Sequence, residues 1–203
     1  MNPQPQLMLK QAIQYLQDRN FDGANLILRD ILQNDINSYE TIFNLSIDFA
    51  EVNRLSEALI ILNSLKDFKV SEPRIPFTIG VIHALEGKFD LALKAYDLAL
   101  QLQPNYVEAL INKSAIHNET KDFNQAIKVA DHIIKLNENC FEAYSNRANA
   151  LYGLQRYRDA IENYDKALSL RPDYVEAWSN KGIALNELKR FDEAIAHYDK
   201  ALS

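Results

Sequence analysis

The sequence predicts an all-α protein, a solenoid of helix-turn-helix pairs, and three observations carry that prediction. A phrase recurs: NYVEALINK from Asn105, NCFEAYSNR from Asn139 and DYVEAWSNK from Asp173, spaced by 34 residues each time. A fixed period of this size marks stacked supersecondary units. The frame also extends in both directions without an insertion, so that repeats begin at Pro5, Tyr39, Pro73, Val107, Phe141 and Val175, the last truncated after 29 positions. Finally, the frame sorts residues by size. Position 8 is Ala12, Ser46, Gly80, Ser114, Ala148 and Gly182, and position 20 is Ala24, Ala58, Ala92, Ala126, Ala160 and Ala194. Position 17 is large and apolar throughout: Phe21, Leu55, Phe89, Phe123, Tyr157 and Phe191. Small residues at 8 and 20 let two helices approach closely, since the distance between packed helices is set by the side chains at the contact. The large residue at 17 plugs the turn between them.

Taken in order, the first two repeats declare themselves mainly by the frame and the small columns. The third opens on KVSEPRIPFTIG, with Pro73 and Pro76. Proline is tolerated in a helix only within the first turn, so this helix is expected to start near Pro76, after an irregular junction over 69–75. The fifth repeat shows the helix pair most plainly. FEAYSNRANALYGL has apolar or small residues at helical spacing, QRYRD makes a turn, and AIENYDKALSL places Ile161, Tyr164, Ala167 and Leu168 on one face of a second helix. Position 33, which is Asn37, Ser71, Asn105, Asn139 and Asp173, supplies N-cap residues. Three residues later stand Glu40, Glu108, Glu142 and Glu176, with Arg74 the exception, so four of five copies read as capping boxes. Pro104 and Pro172 sit where a helix has already ended. In the last repeat Ile195, Tyr198 and Leu202 would face a missing neighbour. That reads as a fragment of a longer protein or as a face covered by another copy, because solenoids normally end in a polar cap.

Composition narrows the function. The formal charge is −6 and no basic run occurs, which argues against nucleic acid. Cys140 is the only cysteine, so neither a disulfide framework nor a cysteine-based zinc site is possible. No window approaches the roughly 20 apolar residues of a membrane span. The N-terminus has no apolar run after a basic start, so no signal peptide is expected and the expected location is the cytoplasm. His83 and His117 both fall at position 11, otherwise Tyr15, Phe49, Leu151 and Leu185, and are expected to pack in the core rather than bind metal. No phosphate loop or catalytic triad is present, and Cys140 has no matched histidine base. The expectation is a protein without cofactor, metal or enzymatic activity.

The final repeat carries Trp178, Gly182, Ala194, Tyr198 and Ala201 at positions 4, 8, 20, 24 and 27. In this pattern the sequence resembles the tetratricopeptide repeat, and the resemblance spans Pro5 to Ser203 as a single solenoid over 1–203. It implies a right-handed superhelix whose first helices line a concave groove that holds an extended peptide or partner protein. It also places position 6 in that groove: Lys10, Asn44, Thr78, Asn112, Asn146 and Asn180. A side-chain amide offers both donor and acceptor, so an asparagine ladder can bond a peptide main chain of any sequence. The ladder is similar to that in the repeat arm of O-linked N-acetylglucosamine transferases. An alternative is therefore a substrate-recruiting arm of a larger enzyme such as a glycosyltransferase, and another is a self-assembly scaffold joined through the open C-terminal helix. Asn149 and Asn186 would extend the polar strip, and Phe43, Ile47, Phe77, Val81 and Ile111 would make its N-terminal half apolar. The family's carboxylate clamp for chaperone tails needs basic residues where this chain has Glu, Phe, Ile and Ser, so that use is not expected. Lys113, Arg147 and Lys181 at position 7 are expected to be structural, their stems packing while their charges reach solvent.

Overall fold

The computed structural model describes residues 3–66, 68 and 71–202. Among them are twelve α-helices, one 3-10 turn and no strand. The chain forms two compact units, Met1–Leu102 and Gln103–Ser203. The first holds α1 (Pro3–Gln17), α2 (Phe21–Asn34), the 3-10 turn Ile36–Ser38, α3 (Tyr39–Glu51), α4 (Leu55–Leu65), α5 (Arg74–Leu85) and α6 (Phe89–Leu102). The second holds α7 (Val107–Glu119), α8 (Phe123–Leu136), α9 (Phe141–Gly153), α10 (Tyr157–Leu170), α11 (Val175–Glu187) and α12 (Phe191–Leu202). Each odd-numbered helix packs on the even-numbered helix that follows it, and within a unit the pairs also pack on one another.

The helix boundaries follow the 34-residue frame. Second helices begin at position 17 in all six repeats, and first helices begin at position 1 in the second, fourth, fifth and sixth. The small columns are the contact line inside each pair. Position 20 is buried in every repeat and position 8 likewise. At Gly80 the need for a small residue is steric: a Cβ there would lie 2.5 Å from Tyr96 Cε1. Tyr96 is itself buried, so its ring cannot retreat into solvent.

The turn inside each pair has one geometry. Position 15 is left-handed in all six repeats: Arg19, Asn53, Gly87, Lys121, Gln155 and Lys189, with φ from 59° to 71°. The amide that follows it donates back to the carbonyl of position 11, at 2.8 Å for Asn20 to Tyr15, Arg54 to Phe49, Lys88 to His83 and Asp122 to His117, 2.9 Å for Arg156 to Leu151 and 3.0 Å for Arg190 to Leu185. This six-to-one bond around a left-handed residue is a Schellman motif, which satisfies carbonyls that the helix end would leave bare.

Two expectations are corrected. The helix after Pro73 starts at Arg74 rather than near Pro76, so Pro76 stands as its third residue, where a missing N–H costs no helical bond. Of the expected junction, residues 69 and 70 lie outside the described residues. The position-33 residues are not N-caps either. First helices are preceded by Ser38, Pro73, Tyr106, Cys140 and Tyr174, none with a side-chain cap bond. Asn37, Asn105, Asn139 and Asp173 are instead the third residues of β-turns, closed by Ser38 N–H to Asp35 O (3.1 Å), Tyr106 to Gln103 (3.1 Å), Cys140 to Asn137 (3.2 Å) and Tyr174 to Arg171 (3.2 Å). Residue types that favour caps also favour turns, and proline at 104 and 172 fits the second turn position. Side-chain caps occur on two second helices, from Asn20 to Gly23 N–H (3.1 Å) and from Asp122 to Gln125 N–H (3.5 Å).

Candidate peptide-binding face

In the second unit the first helices α7, α9 and α11 present position 6 as Asn112, Asn146 and Asn180, all half-buried. Two of these amides stitch neighbouring first helices together. Asn146 Nδ2 donates to the main-chain carbonyl of Ile111 on α7 (3.2 Å), and Asn118 Nδ2 on α7 returns a bond to the carbonyl of Asn146 (2.8 Å). Asn180 Nδ2 on α11 donates to Asn149 Oδ1 on α9 (3.1 Å), and the same oxygen accepts from Tyr164 O–H on α10 (2.6 Å). Asn149 Oδ1 thus joins three helices, and the two bonds it accepts restrain the side chains of Asn149, Tyr164 and Asn180. The remaining amide groups, Asn146 Oδ1, Asn149 Nδ2 and Asn180 Oδ1, are left to bond elsewhere. Asn112 completes the row, Asn186 at the far end of α11 is exposed, and Ile111 is half-buried beside Asn112.

The first unit presents its candidates differently. Asn44 is exposed. Thr78 is buried, and its hydroxyl donates to the Arg74 carbonyl one turn back (2.8 Å). Phe43 is 7% exposed and belongs to the core, with the Arg74 guanidinium 4.8 Å from its ring centroid. Phe77 is half-buried, its ring 6.0 Å from that of Tyr96. Of the apolar wall expected from Phe43, Ile47, Phe77, Val81 and Ile111, Phe43 is thus core packing. Arg74, at position 2, where four of the other five repeats carry glutamate, pairs with Glu40 at 2.9 Å and with Glu72 at 2.9 Å. A residue that breaks the acidic column is thus held by an acidic residue of the preceding repeat.

The remaining candidates have structural surroundings. Arg147 Nε lies 3.0 Å from Asp131, and Lys181 Nζ 2.6 Å from Asp165, each base reaching from a first helix to the second helix of the previous repeat. His83 Nδ1 lies 3.2 Å from Glu86, and His117 Nδ1 3.7 Å from Asp122. Among the described residues no group of three His, Cys, Asp or Glu side chains could hold a metal ion. Burial pushes the Cys140 thiol up to about 11, and it donates to Glu142 Oε2 at 3.3 Å, so the thiolate form is disfavoured at neutral pH. None of the described helices is long and apolar enough to cross a membrane.

A chain of tightly paired helices, stacked in a 34-residue register and joined by Schellman turns, defines a helical-hairpin repeat protein. Two tetratricopeptide-repeat family models match it, over residues 83–149 and 145–203, so together they span more than half of its length. The chain is a tetratricopeptide-repeat protein. Its fold is similar to MamA 41-end from Desulfovibrio magneticus RS-1, with TM-score 0.72 and 22% identity over 81% of this chain and 93% of that one. It is also similar to a tetratricopeptide repeat protein from Parabacteroides merdae, with TM-score 0.75 and 17% identity over 98% of this chain and 78% of that one. No curated protein matches its sequence. The expected kinship with the repeat arm of O-linked N-acetylglucosamine transferases finds no support in these matches.

Proposed function

We propose that this chain is a protein-binding module rather than an enzyme, and that its second unit holds an extended peptide along α7, α9 and α11. The observation that carries this reading is the amide row Asn112, Asn146 and Asn180, in which Asn146 is held by the Ile111 carbonyl and Asn180 by Asn149. An extended peptide offers alternating N–H and C=O groups, and amides bond both kinds. Recognition is of the main chain, with modest demands on peptide sequence. Within the first unit the corresponding candidates are Asn44, exposed, and Phe77, half-buried.

The test starts from a peptide selected for binding by display. Its affinity for the chain carrying Asn112→Ala and Asn180→Ala is expected to fall by about 1 kcal/mol per lost bond. N-methylation of individual peptide amides should weaken binding more than alanine substitution of most peptide side chains. Circular dichroism checks that helicity is kept. Affinity unmoved by both asparagine changes and by N-methylation would overturn the assignment.

A further inference from the structure

Two carboxamides on α7 and α9 are turned the same way. Asn118 spends its Nδ2 on the Asn146 carbonyl (2.8 Å), and Asn146 spends its own on the Ile111 carbonyl (3.2 Å). Their oxygens are left over. Asn118 Oδ1 is buried with no hydrogen-bond partner, a cost to folding that an incoming donor would remove. The charge on this face has one sign. Positions 2, 9 and 13 of a helix lie within about 60° of position 6 around the axis. On α7, α9 and α11 those positions hold Glu108, Glu119, Glu142, Glu176 and Glu187, and no base. The one lysine or arginine of each helix stands at position 7, and Arg147 and Lys181 are spent on Asp131 and Asp165 of second helices. Glu142 and Glu176 accept from the Cys140 thiol and the Tyr174 hydroxyl, neutral donors that leave the carboxylate charge in place.

We propose that this face binds a basic peptide segment, and that one arginine or lysine side chain of the segment ends at Asn118 Oδ1 between α7 and α9. The proposal rests on the peptide-binding reading of the same face and adds the ligand's chemistry to it: main-chain bonds hold the peptide, and charge selects it. Guanidinium and ammonium groups donate hydrogen bonds and accept none, as oxygens without donors require. A charged donor also makes a stronger bond than a neutral one. The carboxylates act at longer range, because a face lined by one sign of charge draws in the opposite charge and speeds association. An acidic segment would meet these carboxylates with no base between them.

The probes are three fluorescent peptides of about twelve residues, long enough when extended to cross three packed helices. Serine alternates with arginine in one, with glutamine in the second and with glutamate in the third. Each is titrated against the intact chain by anisotropy at low and high salt. The arginine peptide should bind about tenfold more tightly than the glutamine peptide at low salt, and the glutamate peptide most weakly. Glu119→Gln with Glu187→Gln should weaken the arginine peptide about fivefold, as for two partly exposed ion pairs, and the effect should fade at high salt. Asn118→Leu should weaken it at both salt concentrations and leave the glutamine peptide unmoved. Circular dichroism checks that the variants fold, and the exposed glutamates keep the test open if Asn118→Leu does not. Asn112→Ala with Asn180→Ala probes the amide row separately, and its effect should be the same at low and high salt. An arginine peptide that binds no better than the glutamine peptide overturns the proposal and leaves the peptide-binding reading standing. So does a preference for arginine that the glutamate changes do not alter. Failure of all three peptides to bind overturns both.

Discussion

At the scale of single residues, the size columns work as matched pairs. Position 8 is glycine in the third and sixth repeats, and in both the partner at position 24 is tyrosine, Tyr96 and Tyr198. A Cβ on Gly80 or Gly182 would sit 2.5 or 2.6 Å from the facing tyrosine ring. The first two repeats pair Ala12 with Leu28 and Ser46 with Leu62 instead, and the fifth sets Ala148 against Tyr164, whose hydroxyl is held by Asn149 where the third and sixth repeats have Val81 and Ile183. Gly80→Ala should therefore destabilise the chain by about 1–2 kcal/mol in urea unfolding, overpacking outweighing alanine's better helix propensity. Adding Tyr96→Leu should recover part of that loss, because alanine then faces leucine as in the first repeat. If Gly80→Ala is neutral or stabilising, the matched-pair reading fails. The columns were legible because volume is a property of the residue itself. The employment of Asn146 was not: its partner is a main-chain carbonyl 35 residues away, and a carbonyl leaves no mark on residue type. Phe43 misled for a related reason, since an aromatic at a groove position looks the same in sequence whether it faces ligand or core.

At the scale of the element, the six left-handed residues at position 15 show what periodicity cannot reveal. Only Gly87 announces the conformation; Arg19, Asn53, Lys121, Gln155 and Lys189 adopt it without being glycine. The Schellman bonds that surround them fix the backbone, and the side chain bears the steric cost. A left-handed L-residue costs roughly 1–2 kcal/mol, partly offset because glycine loses about 0.5–1 kcal/mol more chain entropy on folding. Gln155→Gly should thus raise stability by about 0.5–1 kcal/mol without altering any contact, which thermal and chemical unfolding would register. A loss of stability would show that the Gln155 side chain contributes more than its backbone strain removes. The misplaced N-caps belong to this scale as well. Asn, Asp and Ser signal an interruption of helix, and composition alone does not say whether the interruption is a cap or the third residue of a turn. The turn-closing bonds at Tyr106, Cys140 and Tyr174 decide it, and they depend on backbone angles that the residue names leave open.

At the scale of the whole molecule, both units rest on buried tyrosines, and these couple stability to alkaline pH. Tyr39 in the first unit and Tyr164 in the second are each 1% exposed, and burial, reinforced by nearby carboxylates such as Glu72 and Glu176, pushes their phenols well above the usual range. Tyr174 is pushed up to about 12, chiefly by burial and then by Glu176. In the unfolded chain all three titrate near 10. Their contribution is therefore fully present below about pH 10. Above it the unfolded chain sheds protons that the folded chain retains, and stability falls until the folded phenols titrate in turn. Each such group changes the unfolding free energy by at most about 1.4 kcal/mol per pH unit, equivalent to a few degrees in Tm for a chain of this size. The melting temperature should hold up to about pH 10 and decline steeply beyond it. In Tyr174→Phe the decline should be shallower, because that side chain no longer ionises in the unfolded state, whereas its outer hydroxyl contact with Glu176 is a modest loss at neutral pH. A melting temperature flat between pH 9 and pH 11.5, or a decline equally steep in Tyr174→Phe, would show that these phenols are hydrated in the folded chain.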